Sequence, residues 1–399
     1  MTYQLPQKIL EKYADVLVNF ALNNGKGIKK NEVVFLQVPE CAKLMLIELR
    51  KKVLQADAHA IIQFLPDNMG REFYQLADQN QLEFFPEKYL KGIVGEADHF
   101  LALIADTDKH ELEGINPQKI MSRAQAFRPY QKWRQKKEEE NQLTWTIGLF
   151  ATPAMAKEVG LSLEEYWQQI IEACFLTENK PIVKWREVQK KIQSIKQWLN
   201  NLKIISVHIE SERIDLNLTI GANRQWIGGE GNNIPSFEIF TTPNYHDTDG
   251  NIFFNQPLYV NGQLVKDISL QFNKGKLVKA RARKGNKFLQ AMINLPGADQ
   301  VGEFSLTDRR FSNITHFMGE TLYDENHGGR WGNTHIALGL AYRQCLSGSK
   351  KLNEQQWKKL GFNDSVIHTD IISTTNRIVT ATLQDKSKKI IYKNGKFIL

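Results

Sequence analysis

The stretch from Asn326 to Asp370 concentrates side chains that can bind metal ions. It contains H-I-A-L-G-L-A-Y (His335–Tyr342) and I-H-T-D, which carries His368 and Asp370. Upstream, Glu238 in P-S-F-E-I-F-T-T-P and Glu303 in G-A-D-Q-V-G-E-F-S-L stand alone in apolar, strand-like settings. Two histidines, two glutamates, an aspartate and a tyrosine can supply the nitrogen and oxygen ligands of a pair of divalent cations. A bridged cation pair points to hydrolysis of amides or phosphate esters.

These residues need elements that bring them together. His368 and Asp370 are two apart, so on a strand both leave the same face. His335 and Tyr342 are seven apart, two turns along one face of a helix, and the apolar pattern predicts a helix over Thr334–Cys345. Glu238 lies between Phe237 and Ile239, and Glu303 is followed by Phe304 and Leu306. Burying a carboxylate in such company is costly unless it is paired or holds a metal. Each residue alone has a plainer reading: H-x-D is common on strands, Glu238 can face solvent, and His335 can cap a helix or satisfy a core hydrogen bond. The conjunction carries the case.

A chain of 399 residues exceeds one ordinary core and predicts two domains of roughly 200 residues. A hydrophobic content of 42% and a charged content of 24% are ordinary for a globular protein. No apolar run approaches the ~18 residues of a membrane span, and the opening segment does not read as a signal peptide. Cys41, Cys174 and Cys345 are too scattered for a disulfide framework or a thiolate zinc site, which favours a cytoplasmic protein. Cys345 reads as structural. The net charge of +8 has one dense region, Lys274–Lys287, best read as a solvated β-hairpin. The alternative is a nucleic-acid surface.

Up to about residue 190, helix and strand alternate. Strands are expected at Glu32–Val38, His59–Leu65, His99–Ala105 and Thr144–Leu149. Helices are expected at Gln7–Asn23, Cys41–Leu54 and Arg71–Gln79, from Gln118 to Glu140, and at Ser162–Leu176. This alternation predicts a parallel-sheet α/β domain over 1–190. No glycine-rich nucleotide motif follows any strand. A polar helix at Ile182–Asn200 leads into 191–399, where short alternating strands separated by D-G-N, V-N-G-Q and N-K-G-K turns predict a β-rich α+β domain.

The ordered segments N-I-P-S-F-E-I-F-T-T-P, G-E-F-S-L, L-Y-D-E-N, H-I-A-L-G-L-A-Y and I-H-T-D resemble the aminopeptidase T, aminopeptidase S and aminopeptidase II family of dinuclear metal-dependent aminopeptidases. The resemblance is strongest over about 233–370 and looser before it. It implies metal ligands at Glu238, Glu303, His335, His368 and Asp370, with Glu303 bridging and Tyr342 at the site. It also implies two divalent ions (zinc, cobalt or manganese), short peptide substrates, and a homodimer whose first domain serves access or dimerisation. Two departures stand out. Phe237 precedes Glu238, and H-G-G-R-W-G-N (His327–Asn333) is inserted before His335, read as a flexible loop near the metals.

From ligand chemistry and this resemblance, the expected reaction is attack of an activated water on the first peptide bond. Tyr342 donates to the oxyanion, Glu325 acts as general base, and Asp324 orients a histidine. The competing readings are a dinuclear hydrolase acting on another amide or a phosphoester, and a non-catalytic basic binding protein. Membrane and nucleic-acid partners are not expected.

Overall fold

The computed structural model describes residues 3–221, 223–348 and 352–399. The chain forms two compact units. One comprises Met1–Ile115, Gln125–Lys190 and Gly229–Ser236; the other comprises Asn116–Ala124, Lys191–Gly228 and Phe237–Leu399.

The first unit is built on four parallel strands, β1 (Val33–Pro39), β2 (His59–Leu65), β3 (His99–Ile104) and β4 (Thr144–Leu149), in the order β2-β1-β3-β4. β1 reads V-V-F-L-Q-V-P and is mostly buried, as expected for an interior parallel strand with helices on both faces. The buried polar residue that opens β3 is satisfied: His99 contacts Thr144 Oγ1 at 2.7 Å and the Glu32 carboxylate at 2.9 Å. Helix starts are marked chemically. Ser162 and Glu165 form a reciprocal capping box that opens Leu163–Ala173. The single helix expected from Gln118 to Glu140 is two, Pro117–Ala126 and Arg128–Glu139. Pro129 has no N–H for the preceding turn and suits a helix start.

The second unit holds two antiparallel sheets. Its strands are β5 (Ile204–Ser211), β6 (Ile214–Thr219), β7 (Glu238–Thr241), β8 (Thr248–Phe254), β9 (Leu258–Val260), β10 (Gln263–Val265), β11 (Ile268–Asn273), β12 (Lys276–Arg281), β13 (Val301–Thr307), β14 (Asn333–Gly339), β15 (His368–Ser373), β16 (Ile378–Leu383), β17 (Lys388–Lys393) and β18 (Lys396–Phe397). The large sheet runs β12-β11-β8-β6-β5-β16-β17-β18, and the small one β15-β14-β13-β7; β9 and β10 pair as a separate ribbon. The fold is thus mixed α/β, with an N-terminal parallel sheet and a β-rich second unit.

One element differs in kind from the sequence expectation. Thr334–Cys345 is not a helix. Asn333–Gly339 is strand β14, buried at every position and paired with β13 on one side and β15 on the other. Its unbroken apolar run has no amphipathic period, so ladder pairing and burial on both faces override the helical reading. The strand ends at Gly339 (φ 109°), where a Cβ would sit 2.1 Å from the Ile367 carbonyl oxygen. The basic segment is an exposed hairpin at the edge of the large sheet, with Lys276–Asp299 (3.0 Å) and Arg283–Asp267 (2.5 Å) ion pairs. Lysines along such an edge discourage pairing with foreign strands. Among the described residues, no helix is long and apolar enough to cross a membrane.

Candidate metal centre

Every strand of the small sheet contributes to one cluster. Glu238 opens β7, Glu303 lies in β13, His335 in β14, and His368 and Asp370 in β15. The register places them on one face. Glu238 is opposite Thr307, His335 opposite Ser305, and Ala337 opposite both Glu303 and Asp370, while His368 is opposite Gly339. Directly opposed residues share a face, and so do residues two apart. A shift in pairing between Val301 and Glu303 is the kind of irregularity that re-aims a side chain next to a functional site.

Two sets of three potential ligands result, Glu238–Glu303–His335 and Glu303–His368–Asp370, each with its donor atoms within 4.8 Å of one another. His335 Nε2 lies 3.0 Å from Glu303 Oε1, 3.2 Å from Glu238 Oε2 and 3.7 Å from Asp370 Oδ1. His368 Nε2 lies 3.4 Å from Glu303 Oε2 and 3.5 Å from Asp370 Oδ1. The two oxygens of Glu303 therefore face different imidazoles. The His335 side chain is 1% exposed and that of Glu303 4%, whereas His368 keeps 19% and Asp370 15%. Solvent reaches the cluster from the side of β15, an edge strand.

The electrostatics are those of carboxylates and imidazoles crowded together out of water. Burial pushes the His335 and His368 imidazoles down, but the surrounding carboxylates outweigh it and hold both well above their usual pKa. Burial and the charge of Glu303 raise the Glu238 carboxyl despite its hydrogen bond with His335. Burial also acts to raise Asp370, but the His368 charge prevails and lowers it. Buried Asp370 Oδ1 and His335 Nδ1 have no hydrogen-bond partner. A buried set of carboxylates and imidazoles with an unspent carboxylate oxygen fits divalent cations.

Neighbouring side chains orient the cluster. The contact of His368 Nδ1 with the Leu340 carbonyl oxygen (2.8 Å) is a donation that turns Nε2 toward the carboxylates, as the nitrogen that would ligate once deprotonated. Ser305 Oγ donates to Glu238 Oε2 at 3.2 Å. Tyr342 reaches the site by a different route from the one expected, since it lies beyond the end of β14 rather than on a shared helix face with His335. Its ring packs against His368 (centroids 4.8 Å) and Phe240 (5.4 Å). Glu325 follows the short helix Thr321–Asp324, is 5% exposed and belongs to neither ligand set. Burial, then the charges of Glu238 and Asp370, lift its carboxyl well above the ordinary range.

The Asp324 carboxylate accepts the backbone N–H groups of Met318 (2.7 Å) and Glu320 (2.9 Å), tying down the 318–324 turn. The His327–Asn333 insertion is fastened rather than free. Gly328 N–H and Gly329 N–H donate to the Ile314 carbonyl at 2.9 and 3.2 Å, and Asn333 Nδ2 donates to the Glu325 carbonyl at 2.5 Å. A Cβ on Gly332 would lie 2.2 Å from Tyr392 Oη, so this glycine serves close packing. Sequence reasoning missed Ser305, Asn326 and Asn333. Ser305 had a signal, the two-residue spacing from Glu303 along one strand face.

A family model for thermophilic metalloproteases, M29, matches residues 6–397. The chain belongs to the M29 metalloprotease family. Aminopeptidase PepS of Streptococcus thermophilus is 28% identical, with 98% of each chain covered. Aminopeptidase T of Thermus thermophilus is 26% identical, again with 98% of each covered. The solved structure of wild-type AmpT from Thermus thermophilus matches with a TM-score of 0.84 at 25% identity, covering 98% of this chain and 100% of that one. A divalent metal cofactor is what an M29 metalloprotease requires, and the carboxylate and imidazole cluster is the place in this chain chemically suited to it.

Proposed function

We propose that this M29 protein is a metal-dependent aminopeptidase that removes N-terminal residues from short peptides, and that its carboxylate and imidazole cluster would hold two divalent ions, with Glu303 common to both ligand sets. The observation that carries the reading is the division of the Glu303 oxygens between two ligand sets. Glu238 and His335 complete one set; His368 and Asp370 complete the other. Zinc, cobalt or manganese suits these donors. When bound, such ions acidify a water and polarise the scissile carbonyl.

The chain's own groups do the rest. Glu325 lies among the cluster's charges but outside the ligand sets, and its raised pKa suits a group that takes a proton from the attacking water and returns it to the leaving amine. Tyr342, packed on His368, donates its hydroxyl to the developing oxyanion; one such donor is worth about 3–4 kcal/mol. Substrate enters from the partly exposed β15 side, where a carboxylate of the cluster or a bound ion would take the free α-amine and favour cleavage of the first peptide bond. Short peptide substrates and a homodimer follow from the sequence resemblance, and a cytoplasmic location from the scattered, unpaired cysteines.

Hydrolysis of leucine p-nitroanilide should vanish with a chelator and return with zinc, cobalt or manganese. Hydrolysis of p-nitrophenyl phosphate with none of the anilide would replace this reading by a phosphoesterase. Salt-sensitive oligonucleotide binding that survives Glu303→Ala, with no hydrolysis, would replace it by a basic binding protein.

A further inference from the structure

Glu238 and Glu325 are 87 positions apart in sequence, yet one fully buried side chain holds both neighbourhoods. Asn326 Oδ1 accepts the backbone N–H of Phe237 at 2.6 Å, immediately before Glu238. Asn326 Nδ2 donates to the Leu322 carbonyl at 3.1 Å and contacts Glu325 Oε1 at 3.4 Å. These partners fix the orientation of the amide: its oxygen must face the N–H, and its nitrogen the carbonyl and carboxylate. Asn326 is 0% exposed, so no water stands ready to replace either bond.

The location explains why such a joint is needed. Glu238 is the first residue of β7, and its ladder begins with the Thr307 pairing. Phe237 lies before the strand, outside its ladder, and the Asn326 amide meets its buried N–H. Glu325 likewise follows a helix of only four residues, Thr321–Asp324. Both functional carboxylates thus sit on element ends, where regular backbone bonding stops, and the amide spans the gap. Asn326 is itself anchored: its N–H donates to the Tyr323 carbonyl at 3.0 Å, and Ser312 Oγ donates to its carbonyl at 2.5 Å.

We propose that Asn326 is a positioning residue that sets the placement of the general base Glu325 relative to the metal ligand Glu238. This rests on the roles given to those two residues above. The two ends of the amide separate by substitution. Asn326→Asp keeps an oxygen for Phe237 N–H but loses the donor to the Leu322 carbonyl and toward Glu325. Asn326→Ala loses both.

The test measures metal content and affinity after dialysis, the cobalt absorption spectrum, and kcat and KM separately, on wild type, Asn326→Asp, Asn326→Ala, Glu325→Gln and Glu325→Gln/Asn326→Asp. For Asn326→Asp, metal content and cobalt spectrum should stay wild-type and KM nearly so, while kcat falls about 10–100-fold, the range for outer partners of a site. Asn326→Ala should in addition bind metal more weakly. In the Glu325→Gln background, Asn326→Asp should change kcat little, because the two act as a unit. A full additional loss there, or wild-type kcat in Asn326→Asp, overturns the proposal, as does unaltered metal affinity in Asn326→Ala. Wild type that neither binds metal nor cleaves amides would instead defeat the aminopeptidase reading itself.

Discussion

Glu303→Gln isolates the bridging carboxylate. The substitution preserves shape and volume but replaces two equivalent oxygens with one oxygen and one NH2. Glu303 Oε1 lies 3.0 Å from His335 Nε2, and Oε2 lies 3.4 Å from His368 Nε2. After substitution only one ligand set retains an oxygen from this residue; the other is reduced to two protein donors and faces an amide nitrogen that cannot ligate. The expected stoichiometry by elemental analysis after equilibrium dialysis is one ion per chain instead of two. The surviving site also loses a formal negative charge. At an effective dielectric of 20, a unit charge about 3 Å from a cation is worth roughly 5 kcal/mol before desolvation is subtracted. Weakening should therefore exceed the ~10–100-fold typical of changes to outer partners. In thermal melts, metal at 1,000 times Kd stabilises a fold by about 4 kcal/mol, and most of that increment should disappear. Two ions retained at wild-type affinity would refute the shared-carboxylate geometry and the dinuclear mechanism with it.

The pH dependence of the metal-free fold has a definite sign. His335 and His368 are raised above 6.5, so their stabilising contribution is complete below that pH and is lost as pH rises through the folded-state values. Glu238 and Glu325 are raised above 4.5 and act in the same direction, because the folded state holds more protons than the unfolded one. Chelated protein should lose thermal stability as pH rises, beginning above about pH 4.5 through the two carboxyls and continuing above about pH 6.5 through the two imidazoles. Metal-loaded protein should not, since its ligands bind best deprotonated; a gap that narrows with pH would contradict this. Tyr342→Phe keeps the ring packing on His368 and should retain metal content while kcat falls, by up to ~10²–10³-fold; an unchanged kcat would remove the hydroxyl from the mechanism. Gly332→Ala must place a Cβ 2.2 Å from Tyr392 Oη and 2.4 Å from the Thr307 carbonyl oxygen at φ 57°, so denaturant titration should show a loss of at least ~1–3 kcal/mol.

How far the site could be read from sequence depended on the type of signal. Parallel strands such as Thr144–Leu149 and antiparallel ones such as Leu258–Val260 were visible as short β-branched and apolar runs between turn residues. H-x-D on β15 was legible because a two-residue period on a strand fixes a common face. The helix proposed for His335 failed because H-I-A-L-G-L-A has no polar face on which any period could register. Both a buried helix and a central strand read as continuous apolar sequence, and only long-range pairing decides between them. That pairing is what makes the site: β14 lies between β13 and β15, so His335 stands between Glu303 and Asp370.

The cluster is specified by residue types more than by local conformation. A helix would have brought His335 and Tyr342 together through an interval of seven. The sheet does so differently: a glycine ends β14, the chain turns, and Tyr342 returns to pack edge-on against His368 on the neighbouring strand. The same logic accounts for Asn326. An asparagine after D-E reads as one more polar loop residue, and nothing local distinguishes it. Its role arises only because Phe237, 89 positions earlier, stops one residue short of a ladder and leaves an N–H to be met. Ligand chemistry is carried by side chains and can be read one residue at a time. Positioning chemistry lies in backbone groups left over where elements end, and it becomes visible only when the fold brings those ends together.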